Sequence, residues 1–146
     1  MEIQPDFKEL LILFNKHAVD FLIVGGYAVA MHGAPRFTGD IDLYINPVAE
    51  NAKRILMALA EFGFAALDLN ESDFQKPDYV VQLGVPPVRV DILTSISGVS
   101  WSQAWQGKVT GKYDDLSVFY LGRNDLIINK KATGRLKDLA DVDALQ

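Results

Sequence analysis

The chain contains no cysteine, which excludes a disulfide framework and thiolate-bound zinc. Its two histidines, His17 and His32, have no metal-binding companions in the sequence and read as surface or core-edge residues. No apolar run approaches the roughly 20 residues needed to cross a bilayer. The opening Met1-Glu2-Ile3-Gln4-Pro5-Asp6 is acidic where a secretory leader would be basic. We therefore expect a soluble cytoplasmic protein with no membrane partner. Basic charge is scarce as well: 14 Lys and Arg stand against 19 Asp and Glu, a net charge of −5. That argues against avid, whole-surface binding to nucleic acid but leaves room for a local basic pocket. No Gly-Lys-Ser/Thr follows a strand candidate, so a Walker-type phosphate loop is missing. No Ser/His/Asp or Cys/His constellation is evident. Repeats, low-complexity tracts and interdomain linkers are also lacking, so 146 residues read as one domain, residues 1–146.

What is present is an alternation of helical and strand patterns. Phe7, Leu10, Leu11, Phe14 and Ala18 recur at helical spacing over residues 6–20, with Asp6 as N-cap after Pro5. Residues 21–24 are a short buried strand, stopped by Gly25-Gly26 and followed by a helix over 27–34. Residues 40–45 alternate, with Ile41, Leu43 and Ile45 on one face and Asp40, Asp42 and Tyr44 on the other. A long amphipathic helix follows over 47–62, ending at Gly63. Strands are expected at 79–83 and 88–93, joined by a hairpin loop over 84–87. A short helix within 98–107 holds Trp101 and Trp105. Short strands at 108–114 and 116–121 precede closing helices at 123–132 and 135–145, with Gly134 between them. In the last helix, Leu136, Leu139, Ala140 and Ala144 read as the buried face, with Asp138 and Asp141 opposite. The order predicts an α+β (α/β-like) domain with a mixed, twisted sheet of about five strands flanked by helices.

Three features carry chemistry. Gly25-Gly26 joins a strand to a helix; it is either a tight turn or a place where backbone N–H groups approach a phosphate. Asp40 and Asp42 sit on one strand face, about 6.6 Å apart at roughly 3.3 Å per residue. Asp91 sits in a second strand candidate, Val88-Arg89-Val90-Asp91-Ile92-Leu93. If those strands are neighbours, three carboxylates converge, and their repulsion calls for a divalent cation with a taste for oxygen ligands, magnesium or manganese. The alternative is a solvated sheet face carrying ordinary acids. Arg36 and Thr38 immediately precede the acids; Arg36 can clamp a triphosphate or simply neutralise its neighbours. Residues 123–137 hold five basic residues against one acid, a local patch in an acidic protein. It reads as a solvated surface or as a phosphate-binding wall, with Asp138 and Asp141 orienting Lys130 and Arg135. Lys137 and Asp141 are also spaced for an i,i+4 ion pair.

The Gly-Gly turn, the gap and Asp40-Ile41-Asp42 resemble the signature of the DNA polymerase beta-like nucleotidyltransferase superfamily, with Asp91 matching its later acid. The tail, Lys130, Arg135, Lys137-Asp138 and Asp141, resembles the fourth motif of the AbiEii-type branch. That branch contains small bacterial nucleotidyltransferases and toxins of toxin–antitoxin and abortive-infection systems. The resemblance spans about residues 21 to 145. It implies a minimal nucleotidyltransferase palm in which Asp40, Asp42 and Asp91 bind Mg2+ (or Mn2+) and carry catalysis. It further implies that Gly25 and Gly26 hold the triphosphate of an incoming nucleotide, with Arg36 and Thr38 adjoining. Lys130 and Arg135 would contact nucleotide phosphates or base, and Asp138 and Asp141 would support them or act at the acceptor. The extended C-terminal helical domain of larger members is lacking here, which allows work as a homodimer or with a partner, such as a cognate antitoxin.

The implied activity is metal-dependent transfer of a nucleoside monophosphate from ATP, GTP or another nucleoside triphosphate to an acceptor hydroxyl, with release of pyrophosphate. The acceptor, an RNA end, a protein or a small molecule, is left open. The alternative is a catalytically inactive nucleotide-binding or partner-binding module of a two-component system.

Overall fold

Pro5 has a fixed φ suited to a first helical turn and no N–H to leave unsatisfied. Helix α1 (Pro5–Lys16) begins at it. In the computed structural model, which describes residues 4–34, 39–64, 68–85 and 88–146, Gln4 is the N-cap of α1. Asp6 lies one step inside, where its charge complements the helix dipole. The helix also stops earlier than its apolar spacing suggests, because Ala18 turns the chain at φ 55°. Its inner face buries Phe7, Leu10, Leu11, Leu13 and Phe14, each contributing about 1.5–3 kcal/mol of transfer free energy.

The chain continues through β1 (Phe21–Val24), α2 (Gly25–Met31), β2 (Asp40–Ile45) and α3 (Ala49–Leu59). A wide turn, Ala60–Phe64, extends α3 and closes at Gly63, φ 110°. A short 3-10 turn, Glu71–Phe74, leads to β3 (Val80–Val85) and β4 (Val88–Leu93). Then come α4 (Trp101–Gln106), β5 (Val109–Tyr113), β6 (Leu116–Tyr120), α5 (Arg123–Thr133) and α6 (Leu136–Leu145). The six strands form one mixed sheet in the order β3-β4-β2-β1-β6-β5. The sheet has six strands rather than about five because both C-terminal strand candidates join it: β5 pairs antiparallel with β6, and β6 pairs parallel with β1. Helices α1 and α3 pack on each other, and α2 packs on β1, β2 and α5.

Two registers place the site. β2 runs antiparallel to β1 with Val24 opposite Asp42. It runs parallel to β4 with Asp42 opposite Asp91 and Asp40 opposite Arg89. The expected alternation in β2 holds for Ile41, Leu43 and Ile45, all fully buried. On the acid face Tyr44 is buried too: its hydroxyl donates to the Val99 carbonyl at 3.2 Å, and its ring meets Trp101 edge-on. The face that carries the acids is therefore sealed by α4 at its far end and open at Asp40 and Asp42.

Helix α6 reverses the expectation. Leu136 and Leu139 are exposed, as are Ala140 and Ala144, whereas Asp138, Asp141, Val142 and Leu145 are buried. Hydrophobic spacing puts leucines inward; here charge pairing decides the orientation. Lys130 Nζ, itself buried on α5, lies 3.3 Å from Asp138 and 3.1 Å from Asp141. Thr133 and Arg135 donate to Asp138 as well. Asp141 thus pairs with Lys130, a partner outside its own helix, where the i,i+4 spacing pointed to Lys137. Removing one partner from a buried ion pair is strongly destabilising. We expect Lys130→Met to lower the unfolding free energy by about 3 kcal/mol and Leu136→Lys to change it by less than about 0.5 kcal/mol, read by urea denaturation. If Leu136 were a core residue the order would be reversed.

Candidate active site

The site is assembled by three neighbouring chain segments. β1 delivers the chain to Gly25 beside Asp42, β2 carries the acid pair, and β4 brings Asp91 to the other flank. Gly25 takes φ 66°, a conformation that is disfavoured for residues with a Cβ. A Cβ at Gly25 would lie 2.1 Å from Asp42 Oδ2. Glycine is therefore required twice, for the left-handed turn and for the space that the Asp42 carboxylate fills. Gly26 follows in the first turn of α2.

Asp42 and Asp91 face each other across the ladder; Asp91 is buried and Asp42 half-buried. Burial, then the negative charges of Asp91 and Asp40, push Asp42 up to about 7; the Lys130 ammonium opposes the rise, and a side-chain hydrogen bond with Asp91 adds a little to it. Asp91 is buried, and its Oδ1 accepts no hydrogen bond among the described residues. Asp40 behaves differently. Its Oδ2 lies 2.6 Å from Arg89 Nη2, and the same nitrogen reaches Asp91 Oδ2 at 3.2 Å. The three sequence-selected acids thus share one corner of the sheet, but not as a ready-made cage. Among the described residues no three His, Cys, Asp or Glu side chains are gathered to hold a metal ion as they stand.

A cleft of about 420 Å3 opens beside Asp42. Gly25 and Asp42 line one wall; Lys130, Thr133, Arg135 and Asp138 line another. Burial alone would raise the Asp138 pKa. Hydrogen bonds from Arg135 and Thr133, together with the Lys130 charge, outweigh it and hold the carboxyl well below the usual range. Asp138 is thus a fixed anion that holds Arg135 Nε at 2.7 Å, while the guanidinium side chain remains 64% exposed and available to a ligand. Lys130 is committed to Asp138 and Asp141 yet close enough to act on Asp42. Arg36 and Thr38 lie outside the described residues.

Sequence reading did not assign roles to several residues here. Arg89 lies two positions before Asp91, on the same strand face, and that spacing was the available signal. Asp78, Tyr79, Ser95 and Asn129 also line the cleft, brought there by tertiary structure without a local motif.

The raised Asp42 pKa has a definite sign. Its stabilising contribution is full below the unfolded value of about 3.8 and is lost as pH rises through about 7. In metal-free buffer, Asp42→Asn keeps the neutral form at every pH. Its Tm should match wild type near pH 4 and exceed it above pH 7; a constant gap would contradict the shift. Gly25→Ala should cost about 1–2 kcal/mol in backbone strain alone, and should also change the Asp42 titration because the carboxylate must move. Denaturation and carboxyl carbon NMR measure the two effects.

The sequence matches, over residues 2–146, the family described as nucleotidyltransferase of unknown function, DUF6036. No protein of curated function matches it. Several solved structures share its fold. A Thermotoga maritima protein provisionally designated a nucleotidyltransferase aligns with 16% identity over 99% of this chain and 92% of its own, TM-score 0.59. The lincosamide antibiotic adenylyltransferase LnuA, bound to lincomycin, aligns with 13% identity over 99% and 98%, TM-score 0.59. An antigenic nucleotidyltransferase-like protein from Paracoccidioides brasiliensis aligns with 18% identity over 96% and 74%, TM-score 0.56. At these identities the structural likeness speaks to the fold. With the family match over nearly its whole length, the chain belongs to this nucleotidyltransferase family.

Proposed function

We propose that the protein transfers a nucleoside monophosphate from a nucleoside triphosphate to an acceptor hydroxyl, releasing pyrophosphate. The observation that carries this reading is the register of β2 and β4, which sets Asp91 against Asp42, the acid that lines a cleft together with Gly25, Lys130 and Arg135. The donor set suits a hard divalent cation, Mg2+ or Mn2+: carboxylate oxygens only, one of them buried without a hydrogen bond among the described residues. Asp42 and Asp91 would hold it, with Asp40 joining from the same strand face. When bound, such a cation would offset the carboxylate repulsion, favour ionisation of the acceptor hydroxyl and neutralise the leaving pyrophosphate. The remaining work falls to the chain. Gly25 and Gly26 let phosphate oxygens approach the backbone. Arg135 offers its exposed guanidinium to the triphosphate. Lys130 biases Asp42 toward its ionised form. Asp91 takes the proton from the acceptor hydroxyl.

The acceptor is an RNA end, a protein hydroxyl or a small molecule. Nearby basic residues favour a phosphate-rich partner. A toxin–antitoxin setting, with a cognate antitoxin or a second copy of the chain as partner, rests on the resemblance of the tail to the AbiEii-type motif. Among the described residues no helix is long and apolar enough to cross a membrane. A second reading, nucleotide binding without turnover, is favoured by one observation: Arg89 holds Asp40 and Asp91 together where a cation would sit.

A radiolabelled transfer assay separates the two. Each of the four triphosphates is offered with Mg2+ to total tRNA and to cell lysate, and pyrophosphate is measured alongside. Transfer by the wild type, reduced more than about a hundredfold in a folded Asp42→Ala variant, supports catalysis. Full activity of Asp42→Ala would rule out the site, and nucleotide binding without pyrophosphate release would favour the binding module.

A further inference from the structure

We propose that Arg89 is the resident counter-cation of the acid cluster, and that a divalent ion enters by exchange with it. This rests on the reading of Asp42 and Asp91 as a cation site. One guanidinium nitrogen bridges two carboxylates, Asp40 Oδ2 at 2.6 Å and Asp91 Oδ2 at 3.2 Å. The bridge is poorly satisfied at both ends. Arg89 Nε and Asp91 Oδ1 are buried without a hydrogen-bond partner among the described residues. A fork-shaped guanidinium that served only as a brace would present two nitrogens to a carboxylate; this one uses a single nitrogen twice. Arginine stays protonated throughout the physiological range. It cannot vacate the site by losing its charge. It must move.

The consequence is a positioning role with two faces. Without a divalent ion, Arg89 compensates Asp40 and Asp91 and keeps β2 and β4 in register at their charged end. With one, the guanidinium and the ion compete for the same oxygens, so the arginine weakens cation binding and releases Asp40 only when a cation replaces it. Its side chain is about one-third exposed, which leaves it room to swing outward. The exchange makes Asp40 a conditional ligand, available to the cation after Arg89 has left.

The test uses Mn2+ binding followed by electron paramagnetic resonance and calorimetry, not turnover. Wild type, Asp42→Asn, Arg89→Gln and Arg89→Lys are compared at low ionic strength. Expected results are Asp42-dependent binding by the wild type, about tenfold tighter binding by Arg89→Gln, near wild-type binding by Arg89→Lys, and a lower metal-free Tm for Arg89→Gln. Equal or weaker binding by Arg89→Gln, with wild type still binding through Asp42, overturns the role of Arg89 and leaves the cation site standing. No Asp42-dependent binding by either protein overturns both. A second measurement is independent of any variant's folding: Mg2+ titration of wild type should shift the Arg89 side-chain nitrogen resonances, and unmoved resonances would overturn the exchange.

Discussion

The mutual repulsion of Asp42 and Asp91 is the constraint around which this structure is arranged. Two carboxylates set opposite each other on adjacent strands, one buried and the other half-buried, cannot both ionise cheaply. A sheet serving only stability would put Val or Ile at these positions, as it does at neighbouring Ile41 and Ile92. Among the described residues three devices keep the pair tolerable. Asp42 is held protonated to near neutrality, Arg89 bridges the rim, and the Lys130 ammonium lies within range. Each is a partial answer. The buried oxygen of Asp91 that accepts no hydrogen bond among the described residues marks what they leave unsatisfied. Such incomplete compensation is expected where a ligand completes the charge balance.

The second organising feature is the charge network between α5 and α6. Lys130, Asp138, Asp141, Thr133 and Arg135 form a connected set in which two acids and a lysine are buried together. Burying ions in this way adds little net stability over a well-packed apolar cluster, but it dictates orientation, since every alternative packing strands a charge. Here it determines which face of α6 turns inward, and it fixes Arg135 on the wall of the cleft that contains Asp42. The same residues thus tie the last helix to the fold and bring positive charge to the acid pair.

Much of this was legible from the residues alone. The period of two in β2 separated its acids from its apolar side chains, because a strand buried on one face leaves no other arrangement. The strand-stopping Gly25-Gly26 was equally clear, and its reason, the Asp42 carboxylate occupying the place of a side chain, emerged only in three dimensions. The face of α6 was misread because hydrophobic spacing takes no account of a lysine on another helix. Arg89 was passed over because its importance depends on the register between β2 and β4, which no local pattern encodes. Tyr44 was placed on the acid face correctly, but its burial depends on α4, more than fifty residues away. The legible part was local periodicity and turn chemistry, and the missed part was charge pairing across elements.

The most direct test of the central claim is anomalous diffraction from crystals grown with Mn2+ and a non-hydrolysable nucleoside triphosphate. The account predicts an anomalous peak bound by the carboxylates of Asp42 and Asp91, with phosphate oxygens beside Gly25 and the Arg89 guanidinium withdrawn from Asp40. Manganese absent from that corner, with Arg89 still bridging Asp40 and Asp91 while nucleotide occupies the cleft, would contradict it.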